Sequence, residues 1–413
     1  MVLLLMAYTA VALVAFLSWS GFPRYCKGRH VKRSPDARSM RILLMGFLTS
    51  LLFTEGCVEP FSPPEINTDQ GYLVVDGFFN VGATDTSRIE LRQTQHINQS
   101  AQPVIETGAS VAVEEQAGQS YPFFEAGAGI YLLPPGSYNM AGQYRIRIKT
   151  QSGKEYLSDY VAVSRTPVID SITNRFDPIQ DAMVFYVNTH DAANRTQFYR
   201  WKFDETWEYE ATYYSALEVV NNQLLIREQN INKCWGSKKS GSILLGSTVR
   251  LSGDVIKDLP LNRVPVSTNR LFIKYSMLVK QYGLSRQAFE YWTDLAKTTQ
   301  ATGSLFDPLP SQVTGNITNP ADPKDLVFGY FSASTEETKR ITISPNLGVF
   351  PRCTEPDTIP VRCSGRAEEP CALNTQQLLL TYWGPRAEYV LIASPECTDC
   401  RMKGGTTKRP VFW

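Results

Sequence analysis

The chain has 413 residues, 43% of them hydrophobic and 20% charged, an ordinary globular composition with room for two domains. Its 27 glycines, 25 prolines and 11% aromatics favour turn-rich β-structure over helix bundles. Seven of the 41 bases but only two of the 40 acids fall in residues 1–56. The remaining body is therefore mildly acidic without a basic stripe, which argues against nucleic acid as a partner.

Two apolar runs open the chain, Val2 to Phe22 and Ile42 to Phe53. The second is preceded by Met40-Arg41 and followed by Thr54-Glu55-Gly56-Cys57. It reads as a secretory signal, with a positive start, a short apolar core and a small residue before a cysteine. Such a run is too short to span a bilayer comfortably. Gly56-Cys57 resembles the end of a bacterial lipobox, with Cys57 as the lipidated residue. Thr54 and Glu55 depart from the Leu and small residue usual there. All seven early bases lie between the two runs, so an anchor through Val2–Phe22 would hold that segment in the cytoplasm. The second run would then still have to export the rest. The simpler expectation is translation from Met40, leaving 1–39 as a leader that is never made and 40–56 as the signal peptide. Residues 57–70, with Pro60, Pro63 and Pro64, form a Pro-rich tether.

Short alternating runs follow. Tyr72–Phe78, Arg88–Gln93, Ser110–Glu115, Gly129–Leu133, Tyr144–Thr150 and Tyr156–Val163 read as strands, most clearly in Arg145-Ile146-Arg147-Ile148-Lys149. This density predicts an immunoglobulin-like β-sandwich over 71–165, without the Cys…Trp…Cys core of antibody domains. Thr166-Pro167 marks a boundary, and 166–413 reads as a larger β-rich domain with a Cys-rich tail. Its expected strands are around Ile169 and Ile172, then Ala182–Thr189, Phe198–Trp207, Tyr209–Val220, Ser242–Leu245, Thr248–Leu251, Arg270–Val279 and Thr342–Ile343. Arg200-Trp201-Lys202-Phe203 alternates well. One helix is expected over about 285–299, with Ser285 as N-cap and Phe289, Trp292 and Leu295 on one face. Leu305–Pro323 reads as a loop. Phe412-Trp413 ends the chain on two large apolar groups, expected to be docked.

Eight cysteines are present. With Cys26 in the leader and Cys57 holding lipid, six remain: Cys234, Cys353, Cys363, Cys371, Cys397 and Cys400. An even count in an exported chain points to disulfides. Cys397-Thr398-Asp399-Cys400 also has the C-x-x-C spacing of a metal or redox site, but no second tight pair accompanies it.

Only His96 and His190 lie beyond the signal, and two isolated histidines suit neither Ser-His-Asp hydrolysis nor zinc catalysis. Carboxylate pairs such as Glu205/Glu208 and Glu114/Glu115 could serve a glycosidase, though 40 acids make such pairs unavoidable by chance. The expectation is a protein that binds and does not catalyse, with no cofactor, no metal and no catalytic residue. Its aromatic candidates for a binding groove are Trp201, Trp207, Tyr209, Tyr213 and Tyr214.

Five stretches carry a family resemblance. They are Cys234-Trp235-Gly236-Ser237; Tyr275-Ser276-Met277-Leu278-Val279-Lys280-Gln281-Tyr282 with Tyr291-Trp292; Ser304-Leu305-Phe306-Asp307-Pro308-Leu309-Pro310-Ser311-Gln312 with Gly315-Asn316-Ile317; Gly329-Tyr330-Phe331-Ser332-Ala333-Ser334; and the ending from Cys397 to Trp413. Together they resemble a family of Bacteroidota outer-membrane lipoproteins with a domain of unknown function. The resemblance covers about residues 57–413. It implies outer-membrane location, a lipid anchor, and genes beside TonB-dependent receptors that bear a carboxypeptidase-regulatory-like domain. The implied function is that of an accessory lipoprotein partnered with such a receptor. A free-standing glycan- or peptide-binding module is the alternative, and a hydrolase the remote one.

Overall fold

The computed structural model describes residues 71–82, 85–94, 104–221, 223–300, 313, 315–347, 353–360, 378–383 and 389–413. The leader, the signal peptide, Cys57 and the tether, with His96, Cys363 and Cys371, lie outside the described residues.

Nine strands open the fold: β1 (Leu73–Asn80), β2 (Ser87–Gln93), β3 (Ser110–Glu115), β4 (Ser120–Pro122), β5 (Phe124–Gly127), β6 (Ile130–Leu133), β7 (Gln143–Lys149), β8 (Glu155–Ser158) and β9 (Val161–Ser164). Side chains alternate across a strand, so a period-two pattern sends one set inward. In β7 that set is Tyr144, Ile146 and Ile148, all fully buried. Arg145 and Arg147 point outward and pair with Glu114 at 2.7 and 3.3 Å. The β5-β6-β2-β1 face contributes Val75, Phe79, Ile89 and Leu91 to a shared core, and the β4-β3-β7-β8 face contributes Val111, Val113, Tyr144 and Tyr156. Five of the six strands expected from sequence match these elements; Tyr156–Val163 is instead two strands, β8 and β9, broken at 159–160, and β4 and β5 are additional.

The second half adds β10 (Ile169–Asp177), β11 (Ala182–His190), β12 (Phe198–Glu210), the hairpin β13 (Leu217–Val220) and β14 (Gln223–Ile226), β15 (Lys233–Lys239), β16 (Leu244–Ser247), β17 (Val255–Pro265), β18 (Lys274–Gly283) and helix α1 (Arg286–Gln300). Sheet β10-β11-β17 packs on the sheet containing β15-β12-β18. Phe185, Val187, Trp201, Phe203, Met277 and Val279 fill the space between them. Three expectations are corrected. Tyr209–Val220 is two strands broken at 211–216, Thr248–Leu251 is a turn, and the strand expected at Arg270 starts at Lys274. β17 is not legible in the sequence because Pro260 removes a ladder donor, a loss tolerated on an edge strand. It is the edge of its sheet, and its register shifts beside Pro260.

Across the boundary expected at 165/166, the chain later comes back. β19 (Ile317–Thr318) pairs with β8, β20 (Val327–Phe328) pairs with β1, and β21 (Ala333–Ser334) joins β1 to β9. These strands link the two faces of the first sandwich along one side, so its sheet is nearly closed on itself. β22 (Glu336–Ile343) then extends the second sandwich beside β18. A small sheet of β23 (Asp357–Pro360), β25 (Tyr389–Ala393) and β24 (Leu378–Trp383) completes the described fold. The whole is mainly β, with one sizeable helix.

Candidate ligand cleft

Helix α1 starts where its sequence says it should. The Ser285 hydroxyl accepts from the Ala288 amide at 3.2 Å, so Ser285 is the N-cap. Ala288 and Tyr291 are buried in a cluster with Phe198, Tyr282 and Tyr330, against which Phe78, Trp292 and Leu295 also pack. Phe78 belongs to the first sandwich and Tyr282 to the second, and their rings meet edge-on at 4.8 Å. The helix is thus wedged where the sandwiches join, leaving a cleft on each side.

The larger cleft, of about 730 Å³, has Asp159, Ser164, Glu290 and Asp294 among its walls. The three acids are exposed, and none of the buried unpartnered polar atoms lies there. The other cleft, of about 490 Å³, lies between β1 and the opposite side of the helix. Val74, Asp76, Arg200, Trp292, Leu295 and Phe328 are among its walls. Its size is in the range of small-ligand sites, and its lining is mostly apolar with a few charges, the usual make-up of such sites.

Arg200 and Lys202 sit at alternate positions of β12, on the face opposite Trp201 and Phe203. The guanidinium carbon of Arg200 lies 3.4 Å from the centre of the Trp292 ring. Its Nε is shut off from solvent and has no hydrogen-bond partner. Burial lowers the Arg200 pKa to about 10, against a smaller opposing pull from Asp76. Lys202 is lowered too, first by burial and next by repulsion from Arg200. Its contact with Asp76 is long, at 3.9 Å. Arg200 therefore lines the cleft, while Lys202 lies in an adjoining recess that it shares with Arg200 and the loosely placed Asp76. Next to them the Tyr282 hydroxyl donates to Glu336 at 2.6 Å, and burial raises both of these groups.

The aromatic residues named from sequence do not form this site. Trp201 and Tyr209 are core residues, a correction that follows from their odd-numbered positions on the inward face of β12. Trp201 stacks on Tyr199 at 5.6 Å and donates to Gln281 at 2.8 Å. Tyr209 donates to the Cys400 carbonyl at 2.8 Å. Trp207 is half-buried, and a side chain at Gly236 would come within 2.4 Å of its indole. Tyr213 is half-buried and donates to the Thr354 carbonyl at 3.0 Å, while Tyr214 is 54% exposed. The residues that do line the cleft were visible only as an alternation of charge and aromatic. That pattern identifies a face, and nothing local says what will cover it.

The carboxylate pairs separate. Glu205 turns into the second sandwich, where it accepts from Tyr275 at 2.7 Å, Asn262 at 2.9 Å and Arg270 at 3.0 Å. Glu208 faces the other way and accepts from Lys233 and from the Trp413 indole at 2.6 Å. Glu114 and Glu115 likewise point to opposite faces of β3. The terminal pair is half docked. Trp413 lies under Lys274 at 4.7 Å, and Phe412 lies under Arg340 yet stays 49% exposed. Cysteines Cys397 and Cys400 are not joined to each other. Cys234 bonds to Cys400 and Cys353 to Cys397, so the C-x-x-C spacing marks two structural disulfides. Among the described residues, no helix is long and apolar enough to cross a membrane, and no three His, Cys, Asp or Glu side chains converge as a metal site.

No curated protein matches the chain. Two solved structures of alpha-2-macroglobulins are similar to parts of it. The E. coli protein in its native conformation has 13% identity and a TM-score of 0.17, over 53% of this chain and 13% of that one. A mutant of the Salmonella protein has 10% identity and a TM-score of 0.17, over 78% of this chain and 16% of that one. This chain therefore spans less than a fifth of the length of either. A family model described as domain of unknown function (DUF4249) matches residues 58–340, more than half the chain, and the chain belongs to that family.

Proposed function

We propose that this protein is a non-enzymatic, lipid-anchored accessory protein of the outer membrane, held through Cys57 and working beside a TonB-dependent transporter. The observation that carries the binding half of this reading is the cleft beside α1, where Arg200 lies against the Trp292 ring with its Nε unpaired. Uncompensated charge in a half-buried site costs stability, so it marks a functional site more often than a structural one. The lipobox-like Gly56-Cys57 and the Pro-rich tether support the membrane half. The hairpin β13–β14 supports the partner, because it exposes apolar residues on both faces, Val220 and Leu225 on one and Val219 and Ile226 on the other, with Ile226 78% exposed. Exposed apolar residues grouped in this way suit a protein interface.

The test is co-purification from outer membranes in mild detergent, comparing wild type with Cys57→Ala. A barrel receptor should accompany the wild type and be depleted from the variant. Its absence across several detergents would leave the free-standing glycan- or peptide-binding module, which the aromatic cleft also suits. Mass spectrometry of the mature N-terminus checks the anchor itself, and any peptide covering Ser34–Arg38 would overturn processing at Cys57.

A further inference from the structure

The charge balance of the cleft beside α1 says what kind of ligand it holds. Arg200 presents a planar guanidinium with one face covered by Trp292. Stacking blocks that face but leaves the donors free, since they lie in the plane of the group. None of these donors meets an acceptor among the described residues, and Nε is already cut off from water. A buried donor without a partner costs free energy, and an ionised one costs more. Lys202, two residues along the same strand in an adjoining recess, adds a second positive charge, and among the described residues Asp76, 3.9 Å from Lys202, is its one ion-pair partner. The three together carry a net charge of +1, and Lys280 and Glu336, which also act on Lys202, have opposite signs and leave that balance unchanged. Around Arg200 the walls are apolar: Val74, Leu295, Phe328 and the Trp292 ring.

We propose that this cleft binds an amphipathic monoanion, a carboxylate attached to an apolar or aromatic body. The carboxylate takes the terminal Nη donors of Arg200, Lys202 adds its charge from the adjoining recess, and the apolar body lies along Leu295 and Phe328. Carboxylate and guanidinium match in shape, because two parallel hydrogen bonds form between them. One negative charge cancels the local excess, whereas a dianionic phosphate monoester would overshoot it. The proposal rests on reading this cleft as a binding site, and it is separable from the receptor partnership. Loss of the receptor in the pull-down leaves small-acid binding untouched, and absence of small-acid binding leaves the receptor interface untouched.

The experiment is calorimetric titration of the full-length protein at neutral pH and low salt with three probes: phenylacetate, phenyl phosphate and 2-phenylethanol. Phenylacetate should bind at one site per chain, with affinity that falls as salt rises. The neutral alcohol, and phenylacetate on Arg200→Met, should each bind about tenfold or more weaker. Lys202→Met should weaken phenylacetate by a smaller factor. Arg200→Met should also melt at or above the wild-type temperature, since it replaces an unpaired desolvated charge with an apolar chain of similar length. Several outcomes would overturn the proposal. These are equal binding of the alcohol, tighter binding of phenyl phosphate, no binding of any probe, and unchanged binding by Arg200→Met. So would a large drop in its melting temperature, which would make the Arg200–Trp292 stack a structural feature. If Arg200→Met does not fold, unchanged phenylacetate binding by Lys202→Met overturns the proposal instead.

Discussion

Within the β12 strand, neighbouring residues have opposite fates, and substitutions should tell them apart. Trp201 is fully buried, and its partner Gln281 in turn donates to the Pro167 carbonyl at 2.7 Å and to Thr189 at 3.0 Å. Trp201→Ala should therefore cost about 3–5 kcal/mol in urea denaturation, the range for emptying a large aromatic from a core. A loss below 1 kcal/mol would show that the ring is not held as described. His190 offers a residue-level test by titration. Its ring nitrogen lies 2.8 Å from Asp170, and that hydrogen bond with the aspartate charge raises its pKa above the usual 6.5. The sign follows from linkage. The folded pKa lies above the unfolded one, so the stabilisation is complete below the unfolded value and fades as pH rises through the folded one. NMR titration should place His190 above 6.5, and Asp170→Asn should return it towards that value. An unchanged titration in the variant would refute the pairing.

At the level of elements, the β19–β21 segment is the most exacting. Gly329 has φ +133°, and a Cβ there would lie 2.1 Å from the Val75 carbonyl oxygen. Gly329→Ala should consequently destabilise the protein by about 1–3 kcal/mol, because the clash is with backbone that cannot swing away. Thermal melting measures it, and an unshifted melt would refute so close an approach. The hairpin β13–β14 carries the opposite kind of prediction. Ile226→Asp should leave the melt within about 0.5 kcal/mol of wild type, as for other exposed sites, while reducing receptor co-purification. These elements also show where sequence reading succeeds and stops. The strands of the first sandwich are legible because each buries one face, giving period-two patterns such as Tyr144, Ile146 and Ile148. Helix α1 is legible through Ser285 and its apolar stripe. β19, β20 and β21 are two residues each, too short to hold any period, and they exist only because β1, β8 and β9 wait for them. The burial of Trp201 is illegible for a related reason. An aromatic alternating with Arg and Lys could face either way until the second sheet is in place. The cleft itself was hidden, since Asp76, Arg200 and Trp292 lie far apart in sequence.

At the scale of the whole molecule, one disulfide ties the C-terminal segment to the second sandwich and another closes a loop within that segment. The Cys234–Cys400 bridge spans 166 residues, and Cys353–Cys397 spans 44. Each should contribute about 2–4 kcal/mol by restricting the unfolded chain. Reduction should lower the melting temperature, and peptide mapping should find Cys397 joined to Cys353. A peptide joining Cys397 to Cys400 would contradict this connectivity.

The strand order has a cost in time. β1 is among the first elements of the fold to be made, yet the strand that covers its second edge, through Phe79 against Ala333, comes about 250 residues later. At ordinary synthesis rates that delay is roughly 12–50 s, whereas a hairpin such as β1–β2 closes in about 1–10 μs. For that interval a finished pair of strands presents bare amides and carbonyls to anything that can pair with them. Wherever the chain emerges in sequence order, that edge stays uncovered until the segment around residue 333 arrives, a delay that the same strands joined in a different order would not impose.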